Sequence, residues 1–109
     1  MEPLERREID RRKTLLGGII VHGAGGFTLD CTVRNLSDTG ARVEIGAPGL
    51  LAAPIGLLIP ALDQAFEATV RWGVGTKLGL SFVRSLPLDA PQSELEKAIR
   101  RLWLERRAR

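Results

Sequence analysis

The sequence of 109 residues is 44% hydrophobic and 27% charged, a balance that fits one small globular domain, residues 1–109, and leaves little room for a two-domain enzyme or a deep catalytic cleft. Its apolar runs, such as Leu57-Leu58-Ile59, are too short for a membrane span, and Met1-Glu2-Pro3 opens no secretory signal, so a cytoplasmic setting without membrane contact is expected. The net charge of +3 hides an uneven distribution: residues 1–14 carry five bases and four acids, residues 15–93 five and six, and residues 94–109 six and three.

The leading arm, residues 1–13, is polar. Arg6, Arg7, Arg11 and Arg12 crowd into seven positions, and 13 of the 16 basic residues in the chain are arginine, the cation suited to bidentate and stacking recognition. Arg7 and Arg11 stand four apart and could converge on one planar anion. Glu5, Glu8 and Asp10 offer the alternative of local pairing in a solvated arm.

Residues 14–88 read as a barrel. A first, weaker strand runs from Leu15 to His22 through Gly17-Gly18, and Gly23-Ala24-Gly25-Gly26 turns the chain back. Apolar Phe27, Leu29, Cys31 and Val33 then alternate with polar neighbours, the period of a half-buried strand. Asn35-Leu36-Ser37-Asp38-Thr39-Gly40 comes next as a turn, and Ala41, Val43 and Ile45 alternate again. After a loop over residues 46–55 comes a second weak strand, Gly56 to Ile59. The alternation resumes in Phe66, Ala68, Val70 and Trp72 and, past Gly73-Val74-Gly75-Thr76, in Leu78, Leu80 and Phe82. Six short antiparallel strands with one apolar face each need closure, so the expected class is mainly β, a six-stranded antiparallel barrel.

The period changes at residues 92–107. Ser93 and Glu96 form a capping box, and Leu95, Ala98, Ile99, Leu102 and Trp103 make one helical stripe opposed by Glu96, Lys97, Arg100 and Arg101. The stripe is expected to cover an open end of the barrel. An exposed Trp103 at its edge would instead indicate a docking or dimer surface.

Catalysis has no foothold. The single Cys31 lies in an apolar strand position and the single His22 precedes a glycine turn, so neither a nucleophile–base pair nor a four-ligand zinc site is expected, and a lone cysteine agrees with a reducing compartment. No cofactor or metal is called for. The remaining carboxylates are expected on solvent faces or in turns.

Two short motifs remain, Arg7-Glu8-Ile9-Asp10-Arg11 as R-x-x-x-R and Asn35 to Gly40 as D/N-x-S-x-x-G. The second could be a turn alone, with Ser37 satisfying backbone groups and Gly40 permitting positive φ, or it could offer an amide, a hydroxyl and a side-chain-free approach to a nucleotide. In this order, on a six-strand pattern and with Gly40-Ala41-Arg42-Val43 and Val70-Arg71-Trp72 to Phe82 after them, the chain resembles the PilZ family over about residues 5–84. That resemblance implies a barrel that binds the bacterial second messenger cyclic di-GMP. Carried over, Arg7 and Arg11 would clasp phosphates and guanine edges, Arg6 would help hold a second stacked ligand, and Asn35, Ser37 and Gly40 would be the barrel contacts. Asn35 stands where Asp is commoner in the family.

A stand-alone receptor would pass its signal to an unidentified partner protein, and the sequence leaves a homodimer open. Two other classes compete. One is a PilZ-like interaction module that binds no nucleotide. The other is a small nucleic-acid-binding barrel, disfavoured because Phe27, Phe66, Trp72 and Phe82 all fall in apolar phase.

Overall fold

Alternating side chains turn the middle of the chain into strands, and the strands close on themselves. The computed structural model describes residues 12–23, 26–46, 51 and 53–107. Its strands are β1 (Arg12–His22), β2 (Phe27–Leu36), β3 (Gly40–Ile45), β4 (Ile55–Ile59), β5 (Gln64–Val74) and β6 (Lys77–Ser85), and the helix α1 (Glu94–Arg107) comes last. All neighbouring strands pair antiparallel, in the closed order β1-β2-β3-β6-β5-β4. The expected mainly β barrel of six strands with a C-terminal helix is therefore the fold observed. Closure leaves no edge strand to aggregate.

Inward-facing Ile20, Val33, Val43, Leu57 and Ile59 are fully buried at the barrel axis, with Cys31, Ala41, Ala68, Leu78 and Leu80 around them. Phe66 and Phe82 stack at 4.0 Å between centroids, nearly parallel, and pack against this core.

A second apolar cluster lies outside the barrel. Ile19, Val21, Leu58 and Ala65 point outward from β1, β4 and β5 and are sealed by Leu95, Ala98 and Ile99 of α1, with Leu102 and Trp103 at the margin. The helix thus covers a wall, chiefly β1 and β4, and not an open end as the stripe suggested. Double-sided burial is why β1 and β4 read weakly in the sequence: every residue of β4 is buried, so apolar side chains occupy both phases and the period of two disappears.

A charged clamp fixes the start of the helix. Glu96 N–H donates to Ser93 Oγ at 3.1 Å, half of the expected capping box. The Glu96 carboxylate, however, accepts from the backbone N–H of Gln92 at 2.8 Å and from Arg84 Nη2 at 2.9 Å, and Arg84 Nε also donates to Glu67 Oε1 at 2.9 Å. Glu96 is consequently buried, at 5% exposure, and not on the solvent face to which the helical pattern assigned it. Its carboxyl is held below the usual carboxylate range, first by the Gln92 N–H and then by Arg84.

The other end of α1 is pinned by Trp103. Its indole N–H donates to Asp63 Oδ1 at 2.8 Å, and the Arg107 guanidinium lies 4.8 Å from its ring centroid. Trp103 is half-buried in this way, so it is not the exposed docking residue considered from sequence. Among the described residues no helix is long and apolar enough to cross a membrane.

Candidate functional site

Away from the helix, where β3 adjoins the start of β6 and the end of β5, two strand irregularities re-aim side chains outward. Between β2 and β3 the register slips after Val33↔Val43, so that Asn35 pairs with Arg42. Between β5 and β6 it slips after Val70↔Leu80, so that Trp72 pairs with Gly79. Each slip inserts one residue, Arg34 in β2 and Arg71 in β5, and flips the phase of the residues beyond it. Asn35 and Trp72, which strict alternation would send inward, both arrive on the outer wall. Arg42 lies between them, because Arg42 also pairs with Gly79.

Gly79 makes this arrangement sterically feasible. A Cβ there would run into the Trp72 indole, so the ring lies flat across the glycine, and Trp72 keeps 43% exposure. Gly40 is required by a close backbone approach and not by the positive φ considered from the sequence. Positive φ among the glycines described occurs only at Gly23 and Gly75, whereas a Cβ on Gly40 would collide with the Leu80 carbonyl where β3 meets β6.

The turn between β2 and β3 is tightly bonded. Ser37 N–H donates to the Gly40 carbonyl at 2.9 Å, the Ser37 hydroxyl reaches the same carbonyl at 3.3 Å, and Thr39 N–H donates to Ser37 Oγ at 3.3 Å. Ser37 therefore shapes the turn while remaining half-buried at the wall.

These elements enclose an open cavity of about 520 Å³, within the usual range for small-molecule sites. Its lining runs from Asn35 through Ser37 and Gly40 to Arg42, and across to Arg71, Trp72, Gly79 and Ser81. Among the described residues two guanidiniums and no carboxylate line it. The nearest acid along β3, Glu44, is engaged by Arg34, Nη1 to Oε1 at 3.3 Å. One terminal atom of the Asn35 amide lies 3.2 Å from Arg42 Nε and 2.9 Å from Nη2; both of these are donors, so the amide is oriented with its oxygen toward them, the one orientation in which it accepts from both. The cavity thus combines positive charge, hydroxyl groups and an exposed aromatic face, a set suited to a phosphorylated ring compound.

Of the residues singled out from the sequence, Asn35, Ser37 and Gly40 come together at this wall. Arg6, Arg7 and Arg11 lie outside the described residues. Chain connectivity still bears on them: β1 begins at Arg12, which pairs with Leu36, and Lys13 pairs with Asn35, so the arm joins the barrel directly beside the turn.

Arg42, Arg71 and Trp72 line the cavity, and the sequence reading does not single them out as site candidates. A usable signal is Gly79, a glycine inside a strand, which marks a close approach by a neighbouring group. Two of the four aromatics expected inside face solvent: Trp72, and Phe27 at 62% exposure, which stacks on His22 at 5.4 Å between centroids. The sequence reason for disfavouring nucleic acid therefore holds only for Phe66 and Phe82. Cys31 is buried and its thiol is pushed up to about 12, mainly by desolvation, which keeps it protonated and unreactive at neutral pH. No group of three or more metal-ligating side chains forms among the described residues.

The family model of the PilZ domain matches residues 5–102. None of the curated proteins compared with the chain matches it.

Proposed function

The chain belongs to the PilZ domain family, and from that premise we propose that it is a receptor for cyclic di-GMP, a binding module and not an enzyme. The observation that carries this reading is the cavity lining, without a carboxylate among the described residues, in which Arg42 and Arg71 flank the exposed Trp72 indole beside the Asn35–Gly40 turn. A cyclic dinucleotide presents two phosphates and two guanines. Guanidiniums meet phosphates and the guanine O6 and N7 edge in bidentate fashion, and an indole face stacks on a purine.

The arm supplies the second half. Arg7 and Arg11 clasp the ligand from the side on which the chain enters β1, Arg6 supports a second stacked molecule, and Ser37 and Gly40 contact it from the barrel. Bound ligand changes the outer face of β3, β5 and β6, and a partner protein that reads this face receives the signal. Because the messenger is bacterial and intracellular, the reading carries a cytoplasmic setting with it.

Titration calorimetry with cyclic di-GMP, GMP and cyclic di-AMP tests the reading. Selective, saturable binding of cyclic di-GMP is expected. Equal binding of all three, or binding of none with steep salt-dependent affinity for DNA or RNA, would overturn it.

A further inference from the structure

The family resemblance sets Asn35 against the ligand, but the hydrogen bonds of this chain point its oxygen elsewhere. Asn35 and Arg42 are cross-strand partners at the slip in register, and one terminal atom of the Asn35 amide lies 3.2 and 2.9 Å from Nε and Nη2 of the guanidinium, two donors for which only the amide oxygen is an acceptor. Two donors on one acceptor fix the guanidinium plane as well as its position. Of the five N–H groups of an arginine, three remain for other partners. Arg42 itself is exposed and lines the cavity.

We infer that Asn35 is a positioning residue that serves the ligand through Arg42, and that Arg42 is the wall's own anion contact, distinct from the arginines of the arm. This rests on the cyclic di-GMP reading of the same cavity. A long arginine on an exposed strand face would otherwise sample many rotamers, and the entropy of holding one would be lost upon binding. With Asn35 in place that loss is already incurred in the free protein. The Arg34–Glu44 pair contributes by occupying the neighbouring carboxylate, which would otherwise compete for Arg42. Asn35 is therefore used as an acceptor, and the mechanism needs its oxygen and not its amide N–H groups.

A double-mutant cycle read by calorimetry with cyclic di-GMP separates this from direct contact. Asn35→Ala and Arg42→Ala are each expected to weaken binding roughly tenfold, and the double variant to be no weaker than Arg42→Ala alone. Asn35→Asp retains the acceptor and is expected to keep affinity within about threefold of wild type, with unchanged circular dichroism serving as the folding control for each variant. A double variant weakened roughly a hundredfold, or an Asn35→Asp variant that loses binding as Asn35→Ala does, overturns the inference while leaving the receptor reading intact. Failure of the wild type to bind cyclic di-GMP overturns both.

Discussion

The two outer walls of this barrel are built from the same kind of strand and treated in opposite ways. On one, Ile19, Val21 and Leu58 point outward and α1 closes over them; on the other, Arg42, Arg71 and Trp72 point outward and the described residues leave them uncovered. A closed barrel needs only its interior to be apolar, so an apolar outer wall exists to hold a cover and a polar, aromatic outer wall is free to hold something else. The helix wall is thus assigned to stability and the bare wall to recognition, and substitutions should divide along that line.

The sharpest separation is expected from Ile99→Ala. Ile99 is fully buried between α1 and the wall, so its truncation should cost about 2–5 kcal/mol of stability, measured by urea unfolding, with cyclic di-GMP affinity of the folded protein unchanged. A loss of affinity out of proportion to the unfolded fraction would break the division. Trp72→Ala is the converse. Removing a base-stacking surface should cost about 1–3 kcal/mol of binding while the unfolding midpoint moves little, because the ring already stands 43% exposed. On the arm, Arg7→Ala and Arg11→Ala should each weaken binding at least roughly tenfold, about 1.4 kcal/mol, and equal affinity of both variants and wild type would remove the arm from the site.

The smallest effect concerns the clamp on the helix wall and is read through pH. The Glu96 carboxyl is lowered from its ordinary value of 4.5 by the Gln92 N–H and by Arg84, so its ionised form favours the folded state. Its contribution is complete above the unfolded value and is lost as pH falls through the lowered folded value. Glu96→Gln should lower the melting temperature at pH 7, and the gap from wild type should close as the pH falls below about 4.5. A gap independent of pH would mean that Glu96 acts through shape alone.

The sequence carried the six strands and the helix because one-faced burial leaves a period, and it carried Asn35, Ser37 and Gly40 because a turn concentrates its chemistry in consecutive residues. It did not carry the bare wall. Arg42, Arg71 and Trp72 come from two strands distant in sequence, and the slips at Arg34 and Arg71 that re-aim their neighbours are properties of strand pairing, invisible in either strand alone. Glu96 misled for a related reason: helical phase assigns a side chain to a face, but Gln92, Ser93 and Arg84 meet that face and satisfy the carboxylate in place. The helix docked on a wall and not on an end because β1 and β4 are apolar in both phases, which sequence periodicity registers only as weakness.

The chain has two tryptophans, one on each wall, and their indole N–H resonances report on the two walls separately. In a nuclear magnetic resonance titration with cyclic di-GMP, the Trp72 indole signal should shift and saturate with the ligand while the Trp103 signal, held on Asp63, stays in place. A shift confined to Trp103, with Trp72 unmoved at saturation, would contradict the assignment of recognition to the bare wall.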